Sequence, residues 1–114
     1  MQCGTKNHCI QKLILDFYLA QDEKVQLKIE YVLDLIRFEK NLSAKFLKLL
    51  QNTDGIFELR VITTFKSIRI LCFFDGAELV VLCNCFVKKT QKTPRKEIRK
   101  AEKIKMEYLA DKDN

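Results

Sequence analysis

The sequence predicts a single α+β domain: helices first, an antiparallel meander in the middle and a basic helix at the end. Apolar residues recur at helical spacing before residue 50 and again after residue 94, while the stretch between them is β-branched and aromatic and is cut by turn residues. Helical and strand segments are therefore grouped rather than alternating, which favours an antiparallel sheet over a parallel one. A length of 114 residues suits one modest core and is short for two, and three Gly with one Pro argue against a disordered chain.

Residues 2 to 8 read as a frayed or edge strand, followed by a helical stripe of Ile10, Leu13, Ile14, Phe17 and Tyr18. Asp22 is the expected N-cap of a second helix whose buried stripe is Val25, Ile29, Val32 and Ile36, widened by Leu33 and stopped near Asn41. Ser43 then predicts a short third helix with Phe46, Leu47, Leu49 and Leu50 inward and Lys45 and Lys48 outward. Thr53-Asp54-Gly55 breaks the helical pattern.

In the strand from Ile56 to Thr64, Phe57, Leu59 and Val61 alternate with Glu58, Arg60 and Ile62, which places Glu58 and Arg60 on the less buried face. Ile68 to Phe74 is the next strand, with Arg69 its one charge, and Asp75-Gly76 turns the chain into the most apolar strand, Glu78 to Val87. Thr93 as N-cap and Pro94 at the first helical position open the last helix, lined on one side by Ile98, Ala101, Ile104 and Tyr108. Residues 111–114 are expected to form a disordered tail.

The formal charge of +6 is concentrated. Residues 86 to 105 hold nine Lys or Arg against Glu97 and Glu102, so 9 − 2 = +7 and the rest of the chain sums to −1. Such a field suits a polyanion or an acidic protein, the plainer alternative being a solvated basic helix. Five cysteines without a secretory signal point to reduced thiols in a cytoplasm. Cys83 and Cys85, two apart in a strand, should share a face as small core residues. No run of 18 uncharged apolar residues suggests a membrane span.

The one histidine, His8, offers no His pair for acid/base or metal chemistry. Phosphate-binding Gly loops, Gly-x-Ser-x-Gly and carboxylates at metal spacing are all missing. What remains is cationic: Arg60 and Arg69 on adjacent strands, Lys66 between them, and Lys88 and Lys89 after the next strand. On one concave face these groups would hold a phosphate, Arg by bidentate contacts and Lys as a point charge. The same set would serve RNA cleavage without a metal, where a 2′-hydroxyl attacks the neighbouring phosphate and charge builds on the phosphorane oxygens. The competing reading pairs Arg60 with Glu58 or another carboxylate across the sheet and leaves Arg69 reaching water.

Asp22-Glu23-Lys24-Val25, the run Thr53-Asp54-Gly55-Ile56-Phe57-Glu58-Leu59-Arg60, Arg69-Ile70-Leu71-Cys72-Phe73-Phe74 and Phe86-Val87-Lys88-Lys89-Thr90-Gln91-Lys92-Thr93-Pro94 resemble the RelE/HigB-type toxins of bacterial type II toxin–antitoxin pairs, in the phage-derived RelE-like branch. The likeness covers about residues 20 to 110 of one domain spanning 1–114, and residues 1–19 match poorly. It implies a small antiparallel sheet with the N-terminal helices packed on one face and a basic C-terminal helix. It also implies a cytoplasmic endoribonuclease without cofactor that cuts mRNA on the ribosome. Its partner would be a helix-turn-helix antitoxin, with operator DNA bound only through that complex and no membrane association.

Within the resemblance, Arg69 falls on the arginine of the second hairpin strand and Lys89, beside Lys88, on the basic residue after the last strand, while Arg60 takes the basic place in Glu-Leu-Arg. Catalytic roles are thus expected of Arg60, Arg69, Lys88 and Lys89, and RNA contacts of Lys66, Lys92, Arg95, Lys96 and Arg99. Where the RelE pattern has further lysines and a C-terminal tyrosine, this sequence has Ile56 and Glu58, and Pro94 or Arg95. Lys66, Lys92, Thr90 and Thr93 are the substitutes that this leaves for proton transfer. Two alternatives share the fold: a ParE-like toxin that inhibits gyrase, and a non-catalytic module that binds nucleic acid or protein.

Overall fold

The computed structural model describes residues 2–3, 8–10, 12–39, 42–76 and 79–112, the first two segments by backbone only. Helix α1 (Lys12–Leu19) leads into α2 (Glu23–Phe38), and the cap between them is the expected one. Asp22 is extended and its carboxylate accepts the Val25 N–H at 3.0 Å, satisfying one of the free donors of the first turn. Val25, Ile29 and Val32 are buried as the stripe requires, and the helix closes at Phe38; Asn41 lies outside the described residues.

The strands are β1 (Gln2–Cys3), β2 (His8–Ile10), β3 (Leu47–Leu49), β4 (Phe57–Ile62), β5 (Ser67–Asp75) and β6 (Leu79–Val87), ordered β1-β2-β6-β5-β4-β3. The meander β3 to β6 is antiparallel throughout, as the grouped strand segments predict. At its far edge β2 joins β6 in parallel and β1 pairs with β2, so the expected edge strand is two short strands.

The third helix is not formed. Residues 43 to 46 make a single turn, with the Phe46 and Leu47 N–H groups bonded to the Ser43 carbonyl, and Leu47–Leu49 then pairs with β4. The segment is too short to repay helix nucleation, while Leu47-Lys48-Leu49 also has the period-2 pattern of an edge strand. Asn52 and Gly55, both at positive φ, tighten the following turn. A Cβ on Gly55 would also lie 3.2 Å from Lys105 Nζ.

Helices cover both faces of the sheet. On one, Ile14, Val25, Ile29 and Val32 pack on Leu59, Val61, Ile68, Ile70, Cys72, Val80 and Leu82. On the other, Ala101 and Tyr108 of α3 (Arg95–Lys112) pack on Ile56, Leu71, Phe73, Val81 and Cys83. Double coverage explains why β5 and β6 are nearly continuous apolar runs.

A bulge opposes Leu71 to Asn84 but Cys72 to Leu82. It turns Cys83 toward α3 and leaves Cys85 against the α1–α2 side, so these two do not share a face.

The last helix departs from expectation at both ends. Pro94 stands just before it, its carbonyl accepting the Glu97 and Ile98 N–H groups. The Thr93 hydroxyl, expected as the cap, donates instead to the Glu58 carboxylate. At the other end the helix includes Asp111 and Lys112, and the Lys112 ammonium pairs with Asp75 at 2.7 Å. These two residues are therefore helix rather than tail; residues 113 and 114 lie outside the described residues.

Candidate active site

Helix α3 leaves one end of its sheet face open, where β4 and β6 finish and β5 begins. Arg60 and Arg69 are direct partners across β4 and β5, and the ladder continues through a 2.7 Å bond from the Lys88 N–H to the Ser67 carbonyl. Arg60, Ser67, Arg69, Lys88, Lys89, Thr90 and Gln91 line an open cleft of about 450 Å³ there. All four residues expected to carry the chemistry thus share one cleft.

Two like charges facing each other in a sheet repel, and the chain answers with a carboxylate beneath them. Glu58 is only 2% exposed; its carboxylate lies 3.4 Å from Arg69 Nε and 3.8 Å from Arg60 Nε, and it accepts the Thr93 hydroxyl. Glu58 does lie on the same face as Arg60, but it is not less buried as the alternation predicts. The loop that returns from β6 to α3 closes over it through Thr93, a contact between residues 35 apart that strand periodicity cannot encode.

Arg69 is 6% exposed and anchored by a 3.2 Å bond from its guanidinium to the Ile68 carbonyl. Burial lowers its pKa, an effect opposed by Glu58 and reinforced by Arg60. The Nε atoms of Arg60 and Arg69 are buried without a hydrogen-bond partner, so the pull of Glu58 on them is coulombic and donor capacity is left unmet at the cleft floor. The Lys88 ammonium is likewise held below its ordinary pKa, chiefly by burial, with Glu58 opposing and Arg69, Arg60 and Lys48 assisting.

Lys48 is the cation that sequence reasoning placed elsewhere. Its partner across β3 and β4 is Glu58, so it borders the same cationic face, and the alternation of Leu47-Lys48-Leu49 was the signal available for it. Ser67 and Gln91 are further lining residues that the sequence did not single out. Lys66 is not part of the cleft: its ammonium donates to Gln21 Oε1 at 2.8 Å, at the junction of α1 and α2. Lys92, Arg95, Lys96 and Arg99 are exposed on the loop and first turns of α3, beside the cleft along the chain but not lining it. The Thr90 hydroxyl is bonded to the Lys92 carbonyl at 2.8 Å.

The start of α3 is fixed over the sheet by Asn84, whose amide donates to the Glu97 carbonyl at 3.2 Å and to its carboxylate at 3.0 Å. His8 lies outside the described side chains. Among the described residues no three His, Cys, Asp or Glu side chains are grouped to hold a metal ion, and no helix is long and apolar enough to cross a membrane. The cleft's own lining is cationic and hydroxylic, which fits an anion rather than a divalent cation.

An antiparallel meander between an N-terminal helix pair and a C-terminal helix, with a cationic cleft at the open strand ends, is a RelE-like fold. The chain belongs to the family described as Phage derived protein Gp49-like (DUF891), which matches residues 16–106. Its fold is similar to that of a doubly substituted form of the E. coli toxin RelE in the free state, with a TM-score of 0.59 and 11% identity over 85% of this chain and 93% of that one. No curated protein sequence matches significantly.

Proposed function

We propose that the protein is a cytoplasmic toxin that cleaves mRNA at the ribosome, silenced by a helix-turn-helix antitoxin. The observation that carries this reading is the convergence of Arg60, Arg69, Lys88 and Lys89 on one open cleft, with the Glu58 carboxylate buried beneath them. The similarity to a RelE toxin structure and membership of the Gp49-like family support it.

In the proposed reaction the 2′-hydroxyl oxygen bonds to the adjacent phosphorus while the bond from phosphorus to the 5′-oxygen breaks, leaving a 2′,3′-cyclic phosphate and a 5′-hydroxyl. Negative charge peaks on the phosphorane oxygens, where Arg60, Arg69 and Lys89 supply preorganised positive charge. Lys88, whose lowered pKa enlarges its neutral fraction, takes the proton of the 2′-hydroxyl, and the departing 5′-oxygen takes a proton from water to become the 5′-hydroxyl. The exposed Lys92, Arg95, Lys96 and Arg99 contact ribosomal RNA phosphates.

The test is induction of the chain in bacteria without an antitoxin, followed by primer extension on abundant transcripts. Growth arrest with discrete cuts inside codons is expected, and a Lys88→Met/Arg60→Met variant should lose both effects. Arrest with intact transcripts and trapped gyrase would replace this reading with the ParE-like one.

A further inference from the structure

Phe65 is 94% exposed at the tip of the β4–β5 hairpin, so its ring adds almost nothing to the core. The turn that presents it is nonetheless firmly built. The Thr63 N–H donates to the Lys66 carbonyl at 2.8 Å, the Lys66 N–H returns to the Thr63 hydroxyl at 3.0 Å, and the Lys66 ammonium ties the turn to Gln21. Turn tips favour small polar residues, and a phenylalanine there has no local conformational reason.

From this placement we propose that Phe65 is a stacking platform for a nucleobase of the single-stranded RNA whose phosphate lies in the cationic cleft. The inference rests on the function proposed above. Ser67 lines the cleft and is two residues away, a span of at most about 7 Å of chain. A strand anchored by its phosphate on Arg60, Arg69 and Lys88 therefore has an aromatic face within reach of a neighbouring base.

The space beside the ring favours a base over a second phosphate. Phe65 borders an open depression of about 590 Å³ shared with Asp22, Glu23 and Lys24 at the start of α2. Asp22 and Glu23 are balanced there by Lys24 and Lys66, so that rim has no net charge to draw a second phosphate, while its carboxylates can accept from the exocyclic amines of a base. The cleft and the depression thus divide the polymer, charge to one side of the turn and ring to the other. A flat π surface held on a rigid turn stacks any base, giving affinity with little sequence preference.

The chain contains no tryptophan, so a full-length Phe65→Trp variant carries a single indole reporter at the proposed site. Its emission is titrated with oligoadenylate and, separately, with inorganic polyphosphate, binding of each being followed independently by competition against a labelled oligonucleotide. Oligoadenylate should quench the indole by half or more; polyphosphate should bind the cleft with no quenching. Phe65→Ala should weaken oligoadenylate binding by on the order of tenfold and leave polyphosphate binding unchanged. RNA bound without quenching, or a Phe65→Ala affinity within twofold of the parent, overturns the platform. If Lys88→Met still weakens RNA binding in that case, the cleft reading survives alone. A parent protein that binds no RNA overturns both.

Discussion

Glu58→Gln offers a sharp test of how the cleft is held together. The substitution keeps the shape of the side chain and an acceptor for the Thr93 hydroxyl, but removes the charge 3.4 Å from Arg69 Nε and 3.8 Å from Arg60 Nε. Arg69, at 6% exposure, is then a buried cation without its counter-charge. Breaking a buried pair by removing one partner costs about 3–5 kcal/mol. Arg60 contributes less, because its side chain is 31% exposed and water screens it.

The expected loss is therefore about 3 kcal/mol, a large share of the stability of a domain of this size, with a fall in Tm on the order of 10–20 °C. Urea unfolding followed by circular dichroism measures it directly. A companion variant, Glu58→Leu with Arg69→Met, deletes both charges and should recover to within about 1–2 kcal/mol of the parent. If Glu58→Gln changes stability by less than about 0.5 kcal/mol, or if the paired variant is the less stable of the two, the buried carboxylate is not what holds the arginines side by side.

Asp75 is held below the usual carboxylate range by hydrogen bonds first from Lys112 and then from Tyr108. A depressed folded pKa contributes stability above the unfolded value of roughly 4 and loses it as pH falls through the folded value, so Asp75→Asn should flatten the acid side of a stability-versus-pH curve. Burial pushes the Cys72 and Cys85 thiols up, Cys85 to about 12, and Cys83 is buried as well. In a Cys3→Ser/Cys9→Ser background the native protein should therefore resist a thiol-reactive chromophore that labels all three once urea is added. Replacing the Asp22 cap by Ala should cost about 1 kcal/mol in the same urea assay, and no loss would place the start of α2 under tertiary control alone.

The legible parts of the sequence were those governed by local physics. Asp22, the stripe of α2, the β4–β5–β6 meander and the apolar side of α3 each follow from capping or periodicity, and each stands where expected. The cationic cleft was legible because its members sit at strand ends whose antiparallel pairing brings them together. The misses are all decided by distant partners. Leu47-Lys48-Leu49 fits a helix or a strand equally until β4 is present to pair with it.

Cys83 and Cys85 separate because of a bulge that no alternation pattern announces. Thr93 gives up the cap for Glu58, and Lys66 turns to Gln21, each through contacts across tens of residues. The burial of Glu58 has consequences for function as well as for fold. Because Arg69 is locked to it, Arg69→Ala would strand a buried carboxylate, and Lys88 and Arg60 are the cleaner residues on which to test the chemistry.

In the proposed function the RNA's own 2′-hydroxyl attacks the phosphate held in the cleft. This central claim is tested most directly by incubating the purified protein with ribosomes programmed with a defined mRNA and analysing the fragment ends. The account predicts upstream fragments ending in a 2′,3′-cyclic phosphate and downstream fragments beginning with a 5′-hydroxyl, both absent with Lys88→Met/Arg60→Met. Intact mRNA, or fragments that end in a 3′-hydroxyl opposite a 5′-phosphate, would contradict it.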